Sequence, residues 1–282
     1  MRVVTAVILL ALVACGPAGQ GETTAVPTTA ASTATTSTTT PVAGCPESLD
    51  FVQEGRVMGL EQLESDSAIV GLITWTESPL CERFEIGFET VQGAPATTPP
   101  DVRVQFIPTL QVIRVHFGSD GSVLHEQTVE TAFVDRLFVV HKLDGSTFVD
   151  FHLRQPVRAR ARVSNSPAKV VLDLQPGTGA FDGTAAIAGD VIMTSPSDGA
   201  STSTNIEVSG YAMSATGAVT VIATADGRVV AEATLEVGGD SSEWSEYRTR
   251  LTLPVGTTTV FAGETSPVDG RLEGVTVGVE VR

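Results

Sequence analysis

Positive charge is scarce in this sequence. Two lysines and fifteen arginines stand against 33 acidic residues, a formal charge of −16 over 282 residues. A nucleic-acid binder needs a surface that neutralises phosphates, so the balance excludes that class of partner. Also missing are long stretches rich in Leu, Lys and Glu, the usual material of helices. Val, Ala, Gly and Thr dominate instead, which favours strands. The apolar run over residues 3–13 is too short for a membrane span, which needs about 20 residues. The sequence contains no G-x-S-x-G elbow, no phosphate loop and no H-E-x-x-H. We therefore expect no enzyme activity, no catalytic residue, no cofactor and no metal. Carboxylate pairs such as Glu82 and Glu85 are expected on the solvent face of a strand. The Asp-Gly pairs at 120, 144, 198, 226 and 269 read as turns, since none opens a calcium loop. His116, His125, His141 and His152 are spaced irregularly on expected strands.

Arg2 followed by the short apolar run is the pattern of a secretory signal, here residues 1–14. The run ends in Leu12-Val13-Ala14-Cys15-Gly16, which resembles the bacterial lipobox. That resemblance implies that Cys15 carries lipid and becomes the first mature residue. Two or more acyl chains anchor stably where one does not. The expected location is therefore the outer face of a bacterial cell membrane, reached through an N-terminal lipid. Residues 15–44, dominated by Thr, Ala, Ser and Pro, lack an apolar period and read as a disordered tether.

With Cys15 lipidated, Cys45 and Cys81 remain as an even pair in an oxidising compartment, and a disulfide is expected. The alternative is two free thiols. From 45 to 177 short segments alternate apolar and polar residues: Phe84, Ile86 and Phe88, then Val102, Val104 and Phe106, then 112–117, 137–141, 148–153, 157–163 and 168–174. Period two with turn residues between the segments indicates an antiparallel sandwich. Residues 59–66 are the one place where a short helical turn is expected. Residues 178–189, rich in Gly and Ala with Phe181, read as a linker. Residues 190–282 then carry seven expected strands: 191–194, 205–212, 218–225, 228–236, 244–253, 258–264 and 275–282. Asp226-Gly227 is a two-residue hairpin turn between two of them. This density of strands fits an immunoglobulin-like sandwich, with Trp244 and Tyr247 as its expected aromatic centre. The fold class is thus all-β, two tandem antiparallel β-sandwich domains.

The second domain resembles the immunoglobulin-like domain of bacterial spore germination proteins. The resemblance rests on Ser195-Pro196 with Gly199, the segment from Ile206 to Ala212, Asp226-Gly227, Trp244 with Tyr247, and Glu264 to Gly270. The first domain resembles the AMIN-like domain of bacterial surface lipoproteins, through Cys81-Glu82-Arg83-Phe84 and the stretch from Ser166 to Leu174. These resemblances imply a role in the cell envelope without catalytic residues.

One local feature stands out against the acidic background. Arg154, Arg158, Arg160 and Arg162 fall within nine residues. Alternate strand positions share a face, so Arg158, Arg160 and Arg162 are expected side by side, with Val157, Ala159, Ala161 and Val163 turned inward. Arginine suits carboxylates and phosphates through its planar fork. The expected function is non-enzymatic binding or scaffolding of envelope components, peptidoglycan or another envelope polymer or an envelope protein. The alternative is an accessory or cryptic hydrolase acting on envelope polymers. The alternative for the arginines is a solvated face balanced by acids on the neighbouring strand.

Overall fold

The computed structural model describes residues 45, 50–62, 64–118, 121–122, 126–181, 183–238, 242–266 and 270–282. Cys15, the tether from 16 to 44 and His125 lie outside the described residues. The first sandwich is built from β1 (Gly55–Leu60), β2 (Ile69–Ser78), β3 (Cys81–Glu89), β4 (Val102–Ile107), β5 (Val112–Phe117) and β6 (Gly121–Ser122). It continues with β7 (Glu126–Thr128), β8 (Val134–His141), β9 (Thr147–Leu153), β10 (Val157–Ser164) and β11 (Lys169–Pro176). The second contains β12 (Ala186–Ala188), β13 (Val191–Ser195), β14 (Ala200–Thr202), β15 (Asn205–Ala212) and β16 (Ala218–Ala225). Its remaining strands are β17 (Arg228–Glu236), β18 (Trp244–Thr252), β19 (Gly256–Thr265) and β20 (Leu272–Val281).

Strand parity explains the first core. Phe84, Ile86 and Phe88 of β3 are buried, while Arg83, Glu85 and Gly87 face outward. They meet Val104, Val115, Leu137, Val149 and Phe151 from the opposing sheet. One sheet of this sandwich has the order β10-β11-β3-β2-β6. Glu82 shares the parity of Phe84 and is buried rather than on the solvent face expected for it. Its carboxylate accepts the Thr131 hydroxyl at 2.6 Å and the Phe133 N–H at 2.9 Å. Burial nonetheless pushes its pKa up against those two hydrogen bonds. The helical turn expected over 59–66 is absent among the described residues, because Gly59 and Leu60 complete β1.

The second sandwich packs β12, β13, β15 and β18 against the sheet ordered β14-β20-β19-β16-β17. Tyr247, Val208, Val221, Val260 and Val277 lie in its core. Asp226 and Gly227 both have positive φ, as a tight β16–β17 hairpin requires. Gly210 is fixed by close approach: a Cβ there would lie 1.8 Å from the Ile192 carbonyl oxygen, which accepts the Tyr247 hydroxyl at 2.8 Å.

The two sandwiches share a sheet. β8 of the first pairs in parallel with β18 of the second through Trp244↔Val140 and Ser245↔His141. The resulting ten-stranded sheet runs β1-β4-β5-β9-β8-β18-β15-β13-β12, with β7 on β8. Around this join lies a third apolar cluster: Phe138, Val140, Phe148, Ile192, Tyr211 and Trp244. Trp244 therefore belongs to the junction and not to the centre of the second core, where Tyr247 alone of that pair sits. Burying a Phe or an aliphatic side chain is worth ~1.5–3 kcal/mol, so the join is held much more firmly than a flexible connection. Residues 178–189 run alongside: Phe181 packs on the first core and β12 pairs with β13.

Candidate functional site

Two clusters of arginine and aspartate organise the polar chemistry. The first lies on the outward face of the β10-β11-β3-β2-β6 sheet. Asp173 of β11 stands directly between Arg160 of β10 and Arg83 of β3. Arg83 grips its carboxylate with Nε at 2.6 Å and Nη2 at 3.2 Å, Arg160 Nη2 donates at 2.6 Å and Arg162 Nη1 at 3.2 Å. Asp173 has no solvent exposure. Burial pushes its pKa up, but the guanidinium hydrogen bonds outweigh that and hold it below the usual carboxylate range.

Arg158 sits one row further along and donates to Gln175 Oε1 at 2.8 Å. The three expected neighbours, Arg158, Arg160 and Arg162, are thus together on one face. Arg154 is not among them. It lies between β9 and β10 and pairs with Asp135 at 2.7 Å. The outward positions of β3, β10 and β11 carry Arg83, Arg158, Arg160, Arg162 and Lys169 against Glu85, Glu89 and Asp173. That leaves a local excess of two positive charges on an acidic chain.

Cys45, Phe51 and Val52 lie against the same sheet. Cys45 is disulfide-bonded to Cys81, with Cα atoms 5.5 Å apart. The two sulfurs and an Asp173 oxygen lie within 4.8 Å of one another, and because the sulfurs are bonded to each other they are not a metal-ligand pair. The Phe51 ring lies beneath Arg160 and Arg158, its centroid 5.0 and 5.7 Å from their guanidinium carbons. Val52 bridges Ala159 on the edge strand β10. Cys45, Phe51 and Val52 are thus all held at the arginine-bearing sheet.

The second cluster is at the junction. Arg114 of β5 forms a two-pronged pair with Asp150 of β9, Nε to Oδ1 at 2.8 Å and Nη2 to Oδ2 at 2.7 Å. Its third nitrogen, Nη1, reaches Glu246 of β18 at 2.8 Å, and its guanidinium carbon lies 3.8 Å from the centroid of the Phe148 ring. The Tyr211 hydroxyl of β15 donates to Asp150 Oδ2. Trp244 Nε1 donates to Glu126 at 3.1 Å. Residues 190–271, which supply Tyr211, Trp244 and Glu246, match a known family model. It is the immunoglobulin-like domain of bacterial spore germination. No curated protein is significantly similar to the chain.

The germination-type domain thus docks on the first sandwich through its outward sheet face. That docking explains why β9 is buried along its whole length. Val149, Phe151 and Leu153 enter the first core, while Phe148, Asp150 and His152 are covered by the second domain. Burial raises the Tyr211 pKa well above that of an ordinary tyrosine, with the Asp150 charge acting in the same direction. Burial also pushes His152 down to about 4. Its ring lies 5.1 Å from Phe138 and 5.9 Å from Tyr211. His141 contacts Thr147 at 3.2 Å, and His116 lies on the part of the sheet that the second domain leaves uncovered. Sequence alone assigns no site role to Asp173, Arg114, Asp150 or Tyr211, although Asp173 and Tyr211 lie within the segments that carry the two resemblances. The available signal was a lone charge at an alternate position of an apolar strand, as in Val112-Ile-Arg-Val and Val149-Asp-Phe.

Proposed function

We propose that this protein is a non-enzymatic, lipid-anchored binding protein of the bacterial cell envelope, held by Cys15. On this reading the AMIN-like first sandwich contacts an anionic wall polymer through its arginine face. The germination-type domain is a rigid extension of it. The observation that carries the proposal is the geometry around Asp173. Three guanidiniums share one buried carboxylate, and Arg158 stands beside them against Phe51. One carboxylate fixes the side chains in place and leaves their charge uncompensated. Ordering them in advance lowers the cost of binding.

The test uses the two most exposed members of the row. Arg158→Ser with Arg162→Ser is expected to fold normally and to bind purified cell wall several-fold more weakly than the parent. Parental binding should itself decline as salt rises, because exposed charges are screened over about 8–10 Å near physiological ionic strength. Undiminished wall binding by the double variant overturns the assignment of the face. The anchor is tested separately: Cys15→Ser is expected to leave the membrane fraction or to remain unprocessed, and normal acyl labelling of that variant refutes it.

A further inference from the structure

A cleft of about 520 Å3 opens on the part of the large sheet that the germination-type domain leaves uncovered. Its floor is a row across three antiparallel strands: Gly59 of β1, Arg103 of β4 and His116 of β5, each directly opposite the next. Directly opposed side chains on one face lie about 4.5–5.5 Å apart at Cβ. Gly59 leaves space that the Arg56 side chain fills, since a Cβ there would lie 2.0 Å from Arg56 Nη2. Two guanidiniums and an imidazole therefore converge on one strip, and Lys142 from the β8–β9 turn closes the side.

Most arginines here have a carboxylate partner, as Arg83, Arg114, Arg154 and Arg160 do. Arg56 and Arg103 form no ion pair among the described residues. The acids of the cleft are largely committed elsewhere: Asp101 accepts the Gln62 N–H, and Asp144 accepts Ser146 and lies 3.6 Å from Lys142. Two arginines that form no ion pair among the described residues, side by side in an open cleft, can grip an added carboxylate with their planar forks. The mixed lining selects among anions. Asp101, Asp144 and Glu61 oppose a multiply charged anion, but they accept hydrogen bonds from hydroxyl or ammonium groups.

We propose that this cleft binds a small molecule with a single carboxylate that also bears hydroxyl or ammonium groups, a sugar acid or an amino acid unit, with Arg103 and Arg56 holding the carboxylate. The site is separate from the arginine face and does not depend on the wall-binding reading. His116 reports on it. Burial, then Arg114, Arg103 and Lys142, push its pKa down to about 4, with only Asp150 pulling the other way. Phe148 lies against its ring at 5.5 Å. An anion within about 4–6 Å shifts a pKa by 1–3 units towards the charged form.

The experiment is an NMR titration of the histidine imidazoles in the full chain at pH 5, with glucuronate, alanine and sulfate, a dianion at this pH, as separate probes. A carboxylate that raises the His116 pKa by about one unit lifts its protonated share from about a tenth to about half. His152, enclosed at the junction, should not respond. The expected result is such a response to glucuronate or to alanine, and the stronger of the two identifies the source of the carboxylate. Arg103→Gln should reduce the response at least tenfold with an unchanged thermal midpoint, and Arg56→Gln should weaken it as an independent variant. No movement of His116 with either carboxylate at tens of millimolar overturns the proposal. So does an undiminished response in Arg103→Gln, or a response to sulfate stronger than to both carboxylates.

Discussion

The junction and the outer face use the same ion pair to opposite ends. At the junction one guanidinium, Arg114, is surrounded by acceptors: Asp150 in two-pronged contact, Glu246 and the Tyr211 hydroxyl. Its side chain is 6 % exposed. On the outer face the stoichiometry is reversed, with one carboxylate, Asp173, surrounded by three guanidiniums that are 18–47 % exposed. A lone cation among acceptors is satisfied and closes the joint. A lone anion among cations orders them and leaves their charge on display. Where the excess lies thus separates a structural lock from a candidate contact surface.

The strongest way to break this comparison is to remove each aspartate. Asp150→Ala leaves Arg114 buried with Glu246 alone as an ionic partner and deprives Tyr211 of its acceptor. Breaking a buried pair from one side costs about 3–5 kcal/mol. We expect that loss in denaturant unfolding, with the transition splitting in two as the sandwiches unfold separately. A single unshifted transition would show that the apolar cluster around Trp244 holds the join without the ion pair.

The junction also sets a pH dependence. The His152 pKa is lowered from 6.5 to about 4 by burial. Between those values the unfolded chain binds the proton more readily than the folded one. Its stabilising contribution is therefore fully present above pH 6.5 and is lost as pH falls towards 4, roughly 2–3 kcal/mol by pH 4.5. His116, also pushed down to about 4, acts in the same direction. Glu82, whose pKa is raised, acts in the opposite one, adding stability as pH falls through its value. His152→Gln should flatten the stability curve between pH 6.5 and 4.5. An unchanged slope would assign the loss to His116 instead.

Much of this architecture was legible in the sequence, for a reason that also marks where reading stopped. Alternation reports which side of a strand is buried, so β5, β15, β16 and β17 match the segments expected at 112–117, 205–212, 218–225 and 228–236. The same rule placed Arg158, Arg160 and Arg162 on one face. Alternation says nothing about what covers an outward face. Phe138, Phe148 and Tyr211 point away from their own cores and are buried only because the other sandwich lies against them. For that reason alternation assigns Trp244 to the second core although it lies at the junction, and it gives no mark to Arg114 or Asp150. Short elements with weak patterns, such as β7 with Glu126-Gln-Thr, were also missed. Glu82 was a misreading of parity, since its position relative to Phe84 already put it inside.

The outer cluster should respond more mildly to loss of its centre. Asp173→Asn keeps the shape and removes the charge that orders three arginines. Those side chains reach water where Arg114 does not, so the cost should be nearer the ~1–3 kcal/mol of an unsatisfied buried polar group than that of Asp150→Ala. Thermal unfolding of the two variants side by side measures the difference. Equal losses would mean that the outer arginines are as closed to solvent as the junction, and the contrast between the two clusters would fail.

The smallest effect sharpens the contrast most. Arg162 is the most exposed of the three guanidiniums at 47 %, and its contact with Asp173 is longer than that of Arg160, 3.2 Å against 2.6 Å. An exposed ion pair contributes at most about 1 kcal/mol, since solvent screens it and the side chain loses freedom to form it. In Arg162→Ser, Asp173 keeps Arg83 and Arg160, so the stability loss should stay below that figure. Arg160→Ser should cost more, because Arg160 is the better buried and also loses its packing on Phe51. Binding to wall should not follow that order: removing either arginine takes away one displayed charge, and the two variants should weaken binding alike. Stability that tracks burial while binding tracks charge is the signature of a surface built to present its arginines. If binding instead falls only where stability falls, the arginines serve the sheet and nothing outside it.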